Sequence, residues 1–215
     1  MKMTLKYEIT KRYVHNRNTP KLFRIRALRN IPSLRVKAGD FGGYVQSTSN
    51  LSQEGDCWIS NDAKVYNTAH ISGDAHISGD ARVCDDAKVA GNAKVHGNAT
   101  VTRNARVFEN AQISGNTWVG WDARVYGNAK VCNHARISGE VLVYGNSKVS
   151  GYARVFGNAV INKGMQVLGE SNISSSDQIY YVDGVTAYFD RSNILIVKGT
   201  RKLDHHKMLA RLKLS

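Results

Sequence analysis

The chain has 215 residues, of which 42 % are hydrophobic and 8 % aromatic, with 30 Lys and Arg against 17 Asp and Glu and a formal net charge of +13. That length suits one elongated domain with small additions at its ends; no apolar run is long enough for a membrane-spanning helix, and the first residues lack the apolar stretch of a secretory signal, so the expected location is the cytoplasm. Three cysteines without metal-ligand or redox spacing argue against a disulfide scaffold or a zinc site and agree with a reducing compartment.

Residues 1–50 hold eleven Lys or Arg against Glu8 and Asp40, so most of the positive charge lies in this segment. From Leu22 to Leu28 apolar and basic residues alternate, which predicts a strand. Lys37 to Tyr44 is turn-rich. Its Asp40-Phe41-Gly42 tripeptide imitates a kinase metal-binding motif, but no Gly-rich loop, paired Lys or catalytic loop accompanies it. The segment reads as a basic N-terminal cap on the repeat that begins near residue 51.

Residues 51–176 are organised by a six-residue period. A β-branched residue recurs at every sixth position from Ile59 and Val65 to Val167 and Ile173, and four residues after each comes a second, mostly small series that includes Ala63, Ala93, Thr117, Val141 and Ser147. One unit, Ala93-Lys94-Val95-His96-Gly97-Asn98, reads as a four-residue strand with Ala93 and Val95 inward, then a corner of two turn residues. Gly followed by Asn or Asp recurs at the corners because both tolerate left-handed backbone. Alternation that never reverses excludes hairpins, and a fixed period with two interior series is the signature of a solenoid. Cys57 is expected inside the coil, with Cys84 and Cys132 outside.

Residues 177–215 leave the period. Ile179 to Phe189 and Asn193 to Val197 predict strands joined by Asp183-Gly184 and by a turn at Asp190 to Asn193. Residues 201–214 predict a short amphipathic helix, and the whole segment reads as a C-terminal strand-strand-helix cap.

The hexad pattern of an aliphatic residue with a small one four places later resembles the left-handed parallel β-helix, in which three hexads close one coil. The expected fold is therefore all-β, a single left-handed parallel β-helix with small caps. Leu22 to Leu28, Lys37 to Val45 and Asn50 to Trp58, followed by Asn-Ala-Lys/Arg-Val repeats, resemble the hexapeptide-repeat proteins of enterobacterial phages and prophages. Many proteins of that label are called acyltransferases. The wider β-helix superfamily includes enzymes that use acyl-CoA, with a His general base near a loop that interrupts the coils. No loop interrupts residues 57–174 here, and the one catalytic candidate is the corner residue His134.

With three hexads per coil, residues eighteen apart share a face. One face then carries Lys88, Arg106, Arg124 and Leu142 beside Phe108, Tyr126 and Tyr144, a strip suited to a macromolecular partner or to self-association. Arg82, Arg136 and Arg154 line a second face and Lys94, Lys130 and Lys148 a third, as candidate polyanion contacts. The function expected is a non-catalytic phage or prophage accessory protein in the bacterial cell. It would self-associate and bind nucleic acid or an acidic host or defence protein, with no cofactor, no metal and no membrane. Two alternatives stay open: an acyltransferase using acyl-CoA, and a structural component of phage assembly.

Overall fold

The structure, a computed structural model, describes residues 5–17, 19–162 and 164–174, with backbone alone for Asn16 and for strands within 179–196. It is an all-β parallel solenoid of stacked coils. A hairpin of β1 (Tyr7–Asn16) and β2 (Thr19–Ala27) leads to β3 (Phe41–Val45), and two-residue strands then succeed one another at six-residue intervals from β4 (Trp58–Ile59) to β23 (Asn172–Ile173). The strands are shorter than the four residues the alternation implies, because the outermost residues of each hexad already turn the corner.

Successive strands pass to three different sheets, and each pairs in parallel with the strand eighteen residues further on, as Lys94 pairs with Gln112 and Val95 with Ile113. The rungs are joined by backbone bonds such as Lys94 N–H to Ala111 C=O at 2.9 Å. The inward Val and Ile column and its Ala neighbours have almost no exposed surface. Each fully buried branched side chain contributes about 1.5–3 kcal/mol, and stacking supplies that burial without large aromatic residues. Asn side chains at the corners form amide ladders, Asn92 to Asn110 to Asn128 to Asn146 at 3.1–3.2 Å.

Among the corners, Gly is common but not universal. Asn61, Asn67, Asp85, Arg103, Glu109, Trp121 and Asn133 also adopt φ near +60° there. Cys57 lies inside, as the alternation implies. Cys84 holds an outward position, as the alternation implies, but is covered there, its thiol 3.3 Å from Thr102 Oγ1 in the next coil. Cys132 is half-buried.

The N-terminal strands extend one of the three sheets, β2 antiparallel to β3 and β3 parallel to β5 (Lys64–Val65). Gly42 and Gly43 allow that approach: a Cβ on Gly42 would stand 2.6 Å from both the Ile25 side chain and the Ile59 carbonyl, and one on Gly43 2.5 Å from Ile59 Cγ2. The same approach buries Trp58, although its place in the alternation points outward. Lys6 is also fully buried. Its ammonium donates to Glu54 and Gly55 carbonyls at 3.2 Å and to Cys57 Sγ at 3.1 Å, so the charge has acceptors where water is excluded. Tyr7 donates its hydroxyl to the Leu51 carbonyl at 2.7 Å.

At the other end, β24 (Ile179–Val182), β25 (Val185–Asp190) and β26 (Asn193–Ile196) form an antiparallel sheet. The helix predicted over 201–214 lies outside the described residues. No helix among the described residues is long and apolar enough to cross a membrane.

Candidate functional site

The parallel register sorts the outward side chains into three ladders. The first runs Lys64, Arg82, Thr100, Trp118, Arg136, Arg154, Asn172. The second, below the buried Trp58, runs His76, Lys94, Gln112, Lys130, Lys148, Gln166. The third runs His70, Lys88, Arg106, Arg124, Leu142, Val160. Rungs of a parallel sheet are about 4.8 Å apart, so Arg136 and Arg154, Lys130 and Lys148, and Arg106 and Arg124 are neighbouring like charges.

These cations lack acidic partners among the described residues. Of the two salt bridges there, Arg26 with Glu8 lies within the N-terminal hairpin and Arg29 with Asp56 ties the N-terminal segment to the first coil. The six polyanion candidates divide between two faces, and each set is interrupted: Thr100 and Trp118 separate Arg82 from Arg136, and Gln112 separates Lys94 from Lys130.

The third face gathers Lys88, Arg106, Arg124 and Leu142 on consecutive rungs, with Phe108, Tyr126 and Tyr144 beside them. Those rings stack in parallel: Phe108 and Tyr126 have centroids 4.8 Å apart and Tyr126 and Tyr144 4.9 Å apart. Desolvation first, then Tyr144 and Glu109, push the Tyr126 phenol above its ordinary pKa. The rings are half-buried by one another and by their rungs.

The first face holds a groove of about 570 Å³, lined among others by Trp118, Trp121, Arg136, Ser138, Arg154 and Phe156. No carboxylate among the described residues lines it. The Trp118 ring fills the space over Gly120, three of its atoms lying 2.3–2.9 Å from where a Cβ would stand. Ser138 and Phe156 continue the column of Gly120, since Gly120 N–H bonds the Ile137 carbonyl and Ser138 N–H the Val155 carbonyl. At the adjoining corner Trp121 sits at φ +60°, 53 % exposed, with the Arg103 guanidinium 5.3 Å from its ring centroid. Sequence reasoning singled out Arg136 and Arg154 on this face but not Trp121 or Phe156. The available signal was a Trp in a corner series otherwise dominated by Gly, Asn and Asp.

His134 is exposed, stacked on Tyr152 with centroids 4.6 Å apart and with Nε2 3.1 Å from Asn116 Nδ2. No carboxylate among the described residues bonds it. His76, by contrast, sits half-buried against Ser60 Oγ at 2.9 Å, and desolvation, then Lys94 and His96, hold its pKa below the usual imidazole value. Among the described residues no group of three or more His, Cys, Asp or Glu is placed to hold a metal ion. No family model matches the chain, and no curated protein matches it.

Proposed function

We propose that this protein is a non-catalytic β-solenoid scaffold that holds a nucleic acid along its unpaired Lys and Arg ladders. The carrying observation is that Arg136 with Arg154, and Lys130 with Lys148, are stacked one rung apart without a salt bridge to any described carboxylate. Such stacking is repulsive until a counter-charge lies across it, and a phosphate backbone supplies that charge with release of its own counterions. Exposed aromatic rings beside guanidiniums add surfaces on which unpaired bases stack. The likeness to phage and prophage hexapeptide-repeat proteins supports an accessory role inside an infected bacterium.

The strip of Phe108, Tyr126, Tyr144, Leu142 and Val160 is the most apolar stretch along the three ladders, and it would meet a second copy of the chain. Sedimentation analysis of the protein and of Tyr126→Glu tests that part: a variant with the mass of the parent would overturn it.

For the nucleic-acid reading, fluorescence anisotropy with single-stranded and duplex oligonucleotides at low salt is the direct test. Charge reversal at Arg136 and Arg154, or at Lys130 and Lys148, is expected to weaken binding about tenfold or more for the face in use. Parent protein that binds neither form at low salt would overturn the reading.

A further inference from the structure

The outer column that runs Thr102, Gly120, Ser138, Phe156 changes shape abruptly along its length. At Gly120 it has no side chain, so that Trp118 swings across from the neighbouring ladder and occupies the vacated space. It continues with a small Ser138 and then an exposed Phe156. The Trp118 ring over Gly120 and the Phe156 side chain thus stand two rungs apart in one column, roughly 10 Å, with the small Ser138 between them. A flat ring placed midway would lie about 5 Å from each, within the range of offset aromatic stacking. Arg136 and Arg154 stand in the adjacent ladder at the level of Ser138 and Phe156.

Trp121 adds an independent observation. Its φ of +60° is the one that the other corners adopt, and it sets a 53 % exposed indole at the edge of the groove where Gly, Asn or Asp usually stands. Arg103, the corner residue one coil earlier, is held at the same φ with its guanidinium over the Trp121 ring. The groove is lined by the aromatic side chains of Trp118, Trp121 and Phe156, by two guanidiniums without a salt bridge to any described carboxylate, and by Asn98, Asn116, Thr100 and Ser138.

We infer that this slot binds one nucleotide unit, its base held between Trp118 and Phe156 with Trp121 along one edge, and its phosphate on Arg136 and Arg154. The inference builds on the nucleic-acid reading but is separable from it, because the slot also suits a free nucleotide. The unit can come from a single strand laid along the face or from a mononucleotide.

Tryptophan fluorescence reports on it directly. Of the three tryptophans, Trp58 is fully buried beneath the N-terminal segment, so ligand-dependent quenching comes from Trp118 and Trp121. Full-length protein is titrated with uridine 5′-monophosphate, with an oligouridylate of about twelve nucleotides, with inorganic phosphate, and, by competition, with heparin as a polyanion without bases. Quenching by the mononucleotide or the oligonucleotide but not by phosphate is expected, and Trp118→Ala and Phe156→Ala should each weaken it about fivefold or more while heparin affinity stays at the parent value. Mononucleotide quenching without oligonucleotide binding would retire the strand-binding reading and leave the slot. Oligonucleotide and heparin binding that Trp118→Ala and Phe156→Ala leave unchanged would overturn the slot and leave the ladders. Absence of quenching by either nucleotide probe would overturn the slot.

Discussion

The rings of Phe108 and Tyr126 lie parallel, 4.8 Å apart with 3° between their planes, one coil above the other. Tyr144 repeats the relationship at 4.9 Å and 5°. The spacing is that of the sheet itself, so the backbone sets the stack and the rings receive it without distortion. Replacing the middle ring removes both contacts. Tyr126→Ala is expected to cost about 1–2 kcal/mol in chemical denaturation and to leave the circular dichroism of the folded state intact. A change within experimental error would show that the stack is incidental.

Three interior positions, Thr117, Ser147 and Ser171, carry hydroxyls where the series elsewhere is mostly Ala, and the Ser171 hydroxyl donates to the Leu168 carbonyl. Thr117 Oγ1 and Ser147 Oγ are buried and have no hydrogen-bond partner among the described residues. An unpartnered buried hydroxyl costs about 1–3 kcal/mol. Ser147→Ala should therefore raise the stability by about 1 kcal/mol, read as a higher denaturant midpoint with an unchanged slope. A lower midpoint would mean that a bonding partner for the hydroxyl exists.

Much of this interior could be read from the sequence, since the sixfold recurrence from Ile59 to Ile173 and the small residues four places on admit no other burial pattern. Three features escaped it for physical reasons. Trp58 reads as outward by alternation, yet the Gly42-Gly43 approach covers it, and that contact joins segments far from the period. Cys84 is buried by a residue one coil away, which neither its own hexad nor its alternation reveals. The Trp118 slot depends on a missing side chain at Gly120 and a ring at Phe156 two coils later, so it emerges only when two adjacent columns are aligned together.

Burial, with a smaller contribution from Cys57, raises the Tyr7 phenol from its ordinary 10.0 to about 12. The folded value lies above the unfolded one, so the stability tied to this group is complete below about pH 10 and is lost as pH rises toward about 12. Tyr7→Phe removes the 2.7 Å bond to the Leu51 carbonyl and should cost about 1 kcal/mol at neutral pH. The same variant should lose less stability than the parent across that alkaline window. Parallel alkaline curves for the two proteins would contradict the assignment.

At the acid end Asp85 is the group to watch. Thr102 Oγ1 donates to its carboxylate at 2.6 Å, and the Arg103 N–H and Asn67 Nδ2 each donate at 3.1 Å. The Thr102 bond is the largest influence, and together these donors hold the carboxyl below its ordinary value. The associated stability is present above that ordinary value and disappears as pH falls through the folded one. Thr102→Val should cost about 1–2 kcal/mol near neutral pH and flatten the acid limb of the stability curve. An acid limb identical to the parent's would exclude Asp85 as a contributor.

Binding of a single-stranded oligonucleotide measured across a range of salt concentrations decides whether the Lys and Arg ladders hold a nucleic acid. If stacked cations hold the phosphates, the logarithm of the association constant falls linearly with the logarithm of salt, with a slope of about −0.7 per phosphate contacted. Reversing Arg136 and Arg154 together should then reduce the slope by roughly 1 to 2. A slope near zero, or one that stays the same when every Lys and Arg pair on the three faces is reversed in turn, would contradict the claim.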